Sequence, residues 1–219
     1  MVDYWSDFEE YELDVNEEAQ GLVDEQEKRL KKAFSKIDDK YYPADLGREN
    51  AVLLYSFIRE TKPDMMVETG VCNGLSSVIM LTAMERNGKG KLYSVDLPVK
   101  AGEIEGKNAA VIPPGMESGW MVPEGLRDRW ELYLGNTFYK LPMLFDGISK
   151  IDIFLHDSEH TYEAMMFEYC LAWKHLKAEG FLLSDNVDHS EAFRDFAAAM
   201  DKKKYRMNEL GLLNKHSRK

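Results

Sequence analysis

The sequence predicts an α/β fold, a largely parallel sheet covered by helices on both faces, and three observations carry that reading. Short apolar runs alternate with longer helical periodicities from residue 64 onward, a glycine-containing loop follows the first of those runs, and carboxylates close several later ones. Such alternation marks βαβ units, whose ligands gather at the carboxyl ends of the strands. At 219 residues the chain suits one large domain with an appendage better than two full domains. We divide it into an acidic leader with a helical extension, residues 1–47, and a single α/β domain, residues 48–219. Hydrophobic residues at 44% and charged residues at 31% allow a sizeable core.

The formal charge of −11 is unevenly placed: residues 1–20 hold eight acids and no Lys or Arg, so the remainder carries only −3. An acidic leader on a nearly neutral body repels phosphate backbones and anionic lipid, which argues against nucleic acid and membrane surfaces as partners. The leader itself reads as a solvated segment that need not fold.

Leu22, Leu30, Ala33, Phe34 and Ile37 recur at near-helical spacing and predict an amphipathic helix from Glu17 to about Ile37. A second helix over Arg48–Thr61 has its apolar surface in Val52, Leu53, Tyr55, Phe57 and Ile58, and Pro63 stops it. Strands then fall at Met65–Glu68, Leu92–Asp96, Leu132–Leu134, Ile151–His156 and Phe181–Ser184, with helices at Leu75–Arg86 and Met165–Leu176. Trp173 and the Met165-Met166 pair read as core. Residues 97–125 interrupt the rhythm with four prolines and five glycines, Gly102, Gly106, Gly115, Gly119 and Gly125. A loop this long is usually functional or disordered, so Met116, Trp120 and Met121 either line a substrate-facing lid or pack against the domain. Beyond a helix at Glu191–Lys203, Tyr205–Leu210 and Leu212–Lys215 predict a terminal antiparallel hairpin around Gly211.

No apolar run approaches the roughly 18 residues needed to span a bilayer, and the opening Met1-Val2-Asp3-Tyr4-Trp5 lacks the basic start and apolar core of a signal peptide. A cytoplasmic protein is expected. Cys72 and Cys170 are too few for a disulfide framework and lack the paired spacing of a zinc site, so both read as reduced thiols.

The segment Val67-Glu68-Thr69-Gly70-Val71-Cys72-Asn73-Gly74-Leu75 follows a strand and opens a helix, and its glycines let backbone and ligand approach closely. It lacks the Gly-Lys-Ser/Thr ending of a phosphate-binding loop and the Gly-x-Gly-x-x-Gly of a dinucleotide site. Glu68 at the strand end would oppose a pyrophosphate but helps orient an ammonium or sulfonium group. Asp96 ends the next strand, where an acid commonly accepts the ribose hydroxyls of a nucleoside. Together these residues point to an adenosyl ligand without phosphates.

Glu-x-Gly-x-x-x-Gly after the first strand, with Asp at the second strand end, resembles the class I S-adenosylmethionine-dependent methyltransferases over roughly residues 48–215. The resemblance implies a Rossmann-like three-layer sandwich with a mostly parallel seven-stranded sheet, a C-terminal antiparallel hairpin and added N-terminal helices. It also implies Glu68, Gly70 and Gly74 around the methionine part of the cofactor, Asp96 on the ribose, and Leu97 and Asn136 near the adenine, with Asp157 bordering the same site. Gly135-Asn136 stands where the family often has Gly-Asp.

Further along, Asp157, Glu159 and His160 lie just beyond an apolar strand, and the next strand ends in Ser184-Asp185-Asn186. Asp157, Asp185 and Asn186 offer three hard oxygen ligands suited to Mg²⁺ or Mn²⁺. This pattern is similar to the metal-dependent O-methyltransferases of the catechol and caffeoyl-coenzyme A type. The Asp-x-Glu-His-x-Tyr run also looks like the Asp-x-Asp-His-x-Tyr signature of the cephamycin and macrolide O-methyltransferases, and these subfamilies differ in metal use. Where the catechol type has a Lys base, this chain has His160, which can remove a hydroxyl proton near neutral pH. Asp185-Asn186 as a cap for a helix near Ser190, and His160 as a partner of the Thr161 helix start, are the structural alternatives.

The expected function is methyl transfer from S-adenosylmethionine to a hydroxyl of a small molecule, with Asp157 and His160 as the catalytic pair. A metal-independent enzyme of the same fold, a nicotinamide-dependent oxidoreductase and a non-catalytic adenosyl-binding protein are the alternatives. His156-Asp157-Ser158-Glu159-His160 stands where DNA amino-methylating enzymes carry Asn/Asp-Pro-Pro-Tyr/Phe, which argues against a nucleobase acceptor. Homo-oligomerisation through the first helix is left open by the sequence.

Overall fold

In a computed structural model of the chain, residues 4–37, 41–43, 46–101 and 109–216 are described. The leader forms a 3-10 turn at Tyr4–Asp7 and a short strand β1 (Glu9–Glu10), followed by helix α1 (Glu17–Phe34). Next come β2 (Tyr41–Tyr42), α2 (Arg48–Thr61), β3 (Met65–Thr69), α3 (Leu75–Asn87), β4 (Lys91–Asp96), β5 (Ala109–Ala110) and β6 (Trp130–Leu134). The chain continues through α4 (Thr137–Gly147), β7 (Ile151–His156), α5 (Tyr162–His175), β8 (Leu176–Ser184), α6 (Ala192–Ala199), β9 (Tyr205–Met207) and β10 (Leu210–Asn214).

The main sheet runs in the order β1-β9-β10-β8-β7-β3-β4-β6. Strands β6, β4, β3, β7 and β8 are mutually parallel, while β10 is antiparallel to both β8 and β9. The expected seven strands and terminal hairpin are therefore present, and β1 adds an eighth. The hairpin turns at Asn208, which takes a left-handed backbone (φ 55°), and not at Gly211. Gly211 pairs inside β10, where a Cβ would lie 2.7 Å from Val187 and 2.9 Å from Phe193.

Alternate residues of each strand feed opposite faces, as a period of two requires. Met66, Leu92, Ile153, Leu155 and Leu183 pack with α1, α2 and α3, whereas Val67, Val95, Phe154 and Leu182 pack with α4, α5 and α6. The amphipathic α1 buries Ala19, Val23 and Leu30 in the first of these layers. Helix α4 had no counterpart in the sequence reading, because Pro142 inside it removes a backbone donor and breaks the pattern.

The described leader is docked and not free in solvent. β1 pairs parallel with β9, Phe8 stacks on Phe193 with centroids 5.8 Å apart, and Asp7, Glu9 and Glu10 pair with Lys204, Lys203 and Arg206. Its acids thus find the cations of the C-terminal hairpin. Among the described residues no helix is long and apolar enough to cross a membrane.

Candidate active site

Strand order reverses at β3: the chain moves to β4 and β6 on one side and to β7 and β8 on the other. Such a switch point leaves a crevice at the carboxyl ends of the strands. Thr69 pairs with Val95 and His156, and His156 with Ser184, so the residues just beyond those ends share one rim. A cavity of about 860 Å³ opens there, lined among others by Gly70, Asp96, Leu97, Asn136, Asp157, His160, Asp185 and Asn186. Eight of the ten residues singled out in the sequence therefore meet at one place.

The glycine loop owes its shape to two positions. Gly70 (φ 81°) passes so close to the next strand end that a Cβ would fall 1.8 Å from the Asp157 carbonyl oxygen. Gly74 (φ 90°) caps α3 and faces Gly119, whose Cα would be 2.9 Å from a Cβ there. Gly74 lies behind the cavity wall and does not line it. Asp96 is only 5% exposed and arrives oriented: Oδ1 accepts from the backbone N–H groups of Val71 (2.9 Å) and Cys72 (3.2 Å), and Oδ2 from Ser118 Oγ (2.6 Å). Asn136 caps α4 by accepting from Phe138 N (2.9 Å), while Leu97 stays exposed.

Glu68 does not line the cavity. Its carboxylate is fully buried beneath the glycine loop and takes bonds from the hydroxyls of Ser76, Ser77 (2.7 Å) and Ser94 (2.8 Å). Burial pushes its pKa up to about 7, with the three hydroxyls opposing and the Asp96 charge adding to the rise. Ser76, which the sequence reading passed over, is the cavity-facing member of this group.

The 97–125 loop divides in two. Leu97, Pro98 and Val99 line the cavity, but the later part is stitched to the glycine loop and is no lid. Gly119 N donates to Cys72 O (2.9 Å), Met121 N to Asn73 O (3.1 Å) and Trp120 Nε1 to Asn73 Oδ1 (2.8 Å). Met121 is fully buried. Gly102 and Gly106 lie outside the described residues.

Across the cavity, Asp157, His160 and Asp185 each bring one ligand atom within 4.8 Å of the others. Two carboxylate oxygens and an imidazole nitrogen at this spacing could together hold a divalent cation. Burial raises the Asp185 pKa to about 6, against hydrogen bonds from the Asn186 backbone and the Asp157 side chain. Two carboxyl groups this close favour a shared proton or a cation. Asn186 borders the same cavity, and its side-chain amide donates to Asp185 Oδ2. His160 Nε2 stands 4.0 Å from Asp157 Oδ1. Burial, then the neighbouring His156 and His189 rings, lower the His160 pKa to about 4, so the ring is neutral at pH 7.

Neither structural alternative is realised. The cap of α5 is Thr161, which accepts from Ala164 N, and the helix beyond Ser190, α6, has Glu191 at its N-cap with no side-chain cap bond from Asp185 or Asn186. Two histidines that the sequence reading set aside surround the cluster. His189 lines the cavity edge-on to His160, and His156 is fully buried against Glu168, 2.7 Å from Nδ1 to Oε2.

A family profile described as a methyltransferase domain matches residues 67–187, more than half of the chain. No curated protein sequence matches it. Among solved structures, a methyltransferase from Geobacter sulfurreducens is 19% identical, with 89% of this chain and 88% of that one covered at a TM-score of 0.59. The O-methyltransferase TomG from Streptomyces achromogenes, involved in tomaymycin synthesis and solved with S-adenosylmethionine, is 16% identical over 92% of this chain and 90% of its own, at 0.60. MycE, a methyltransferase of the mycinamycin biosynthetic pathway solved with Mg, S-adenosylhomocysteine and mycinamycin VI, is 11% identical over 72% of this chain and 46% of its own, at 0.51. The sheet order, the glycine loop at its switch point and the matched profile agree: the chain belongs to the methyltransferase domain family.

Proposed function

We propose that the protein transfers a methyl group from S-adenosylmethionine to a hydroxyl oxygen of a small molecule, with a divalent cation, Mg²⁺ or Mn²⁺, at the acceptor side. The single observation that carries this reading is the Asp157, His160 and Asp185 cluster on the same cavity as the glycine loop and Asp96. At about 860 Å³ the cavity is near the upper end of ordinary ligand pockets, about 300–1,000 Å³, and has room for cofactor and acceptor together. The Mg bound in MycE supports a metal, and the O-methyltransferase activity of TomG supports an oxygen acceptor. Two cysteines without a disulfide framework suit a cytoplasmic setting.

S-adenosylmethionine supplies a sulfonium-activated methyl, so the chain's task is chiefly to align the reactants. Gly70, Val71 and Cys72 give the cofactor a backbone wall, Asp96 accepts from its ribose, and Leu97 and Asn136 border the adenine. Asp157 and Asp185 would hold the cation, which when bound would lower the pKa of a substrate hydroxyl, and Asn186 steadies Asp185. In this reading the one lone pair of neutral His160, beside Asp157, serves the hydroxyl proton and not the cation, and with its pKa lowered to about 4 it would accept that proton only from a hydroxyl already acidified.

Calorimetric titration with S-adenosylhomocysteine, and separately with NAD, each with Mg²⁺ or with chelator, tests the reading. Binding of S-adenosylhomocysteine and not NAD is expected. Asp185→Ala is expected to abolish Mn²⁺ binding while leaving S-adenosylhomocysteine affinity unchanged; retained Mn²⁺ binding would leave Asp185 outside any metal site.

A further inference from the structure

We propose that Glu168, a buried carboxylate outside the cavity, is a positioning residue that aims Asp157 into the metal site by gripping the residues on both sides of it. The inference rests on the metal reading above and goes beyond it to a group in the middle of a helix. Glu168 sits on the inward face of α5 between Met165, Tyr169 and Ala172, with no exposed surface. A charge in that setting is unfavourable by several kcal/mol unless hydrogen bonds satisfy it. Its bonds come from the rim of the site, one of them from Thr137 at the start of α4. Thr69 Oγ1 at the end of β3 donates to Oε2 (2.6 Å), His156 Nδ1 at the end of β7 meets the same oxygen (2.7 Å), and Ser158 Oγ donates to Oε1 (2.8 Å).

His156 and Ser158 are the immediate neighbours of Asp157, so one carboxylate holds the chain before and after the metal-facing residue. The backbone between them is fixed from the other side as well. Asp157 N donates to Thr69 O (2.9 Å), and Gly70 packs against the Asp157 carbonyl where no side chain fits. The direction in which the Asp157 carboxylate leaves the main chain is therefore set from behind the site. Outer groups that orient metal ligands typically change metal affinity about 10–100-fold when removed.

The test measures Mn²⁺ binding by electron spin resonance and S-adenosylhomocysteine binding by calorimetry on the full-length wild type, Glu168→Gln and Ser158→Ala. Gln keeps the size of Glu168 but replaces one acceptor oxygen by a donor; Ser158→Ala removes one grip alone and is the gentler change should Gln disturb folding. Mn²⁺ affinity is expected to fall about tenfold or more in Glu168→Gln, and severalfold in Ser158→Ala, with S-adenosylhomocysteine affinity within about twofold of wild type. Equal losses for both ligands would mean a purely structural role and overturn the proposal, as would Mn²⁺ affinity unchanged in both variants. Absence of Mn²⁺ binding by the wild type would remove the metal reading itself and this inference with it.

Discussion

Glu68 shows how the fold can turn an expected ligand contact into a foundation. Three serine hydroxyls surround its carboxyl group, and burial holds its pKa near 7 against an ordinary 4.5. A carboxyl whose folded pKa is raised contributes stability that is complete below about pH 4.5 and is lost as pH rises through 7. Glu68→Gln has no such proton to lose. The variant should therefore gain stability relative to wild type between those pH values, by about 3 kcal/mol in all, in urea unfolding followed at a series of pH values. A flat difference across that range would show that Glu68 does not titrate there. The acid at this position was legible in the sequence, but its role was not, because Ser76, Ser77 and Ser94 surround it only once α3 and β4 pack against β3. Glu168 was invisible for the same reason: Ser158, His156, Thr137 and Thr69, which bond to it, are 10, 12, 31 and 99 residues away. Asp96, Asp157 and Asp185 could be found because each directly ends a strand.

Elements divide similarly. The parallel strands were readable since each is a short apolar run, and the helices on one face since their apolar spacing repeats. Helix α4 was hidden by Pro142, and β1 by a composition of two acids that only the cations of β9 and its neighbours explain. The docked leader offers a choice of forces. Its ion pairs are largely exposed, and such pairs contribute about 0–1 kcal/mol each, whereas Phe8 covers Phe193 and packs with Tyr4 and Trp5. Phe8→Ala is expected to destabilise by about 1–2 kcal/mol and Asp7→Asn by less than about 1 kcal/mol in denaturant melts. The reverse order would make the leader an electrostatic clasp.

For the whole molecule, the two helical layers meet through the sheet, and the cavity sits where neighbouring strands diverge, so a ligand there touches both halves of the core. S-adenosylhomocysteine at about 100 times its dissociation constant should add roughly 2.7 kcal/mol to unfolding free energy, read as a rise in melting temperature that NAD does not produce. No rise would mean that the folded chain does not bind S-adenosylhomocysteine at that concentration. The two borders of the sheet differ. β1 shields β9 at one border, while β6 ends the other, with Leu134, Tyr139 and Met143 exposed nearby. The edge left open at β1 is two acidic residues long and that at β6 five. A short, charged margin is a poor template for a further strand, so of the two borders the one at β6 is the longer stretch of backbone on offer.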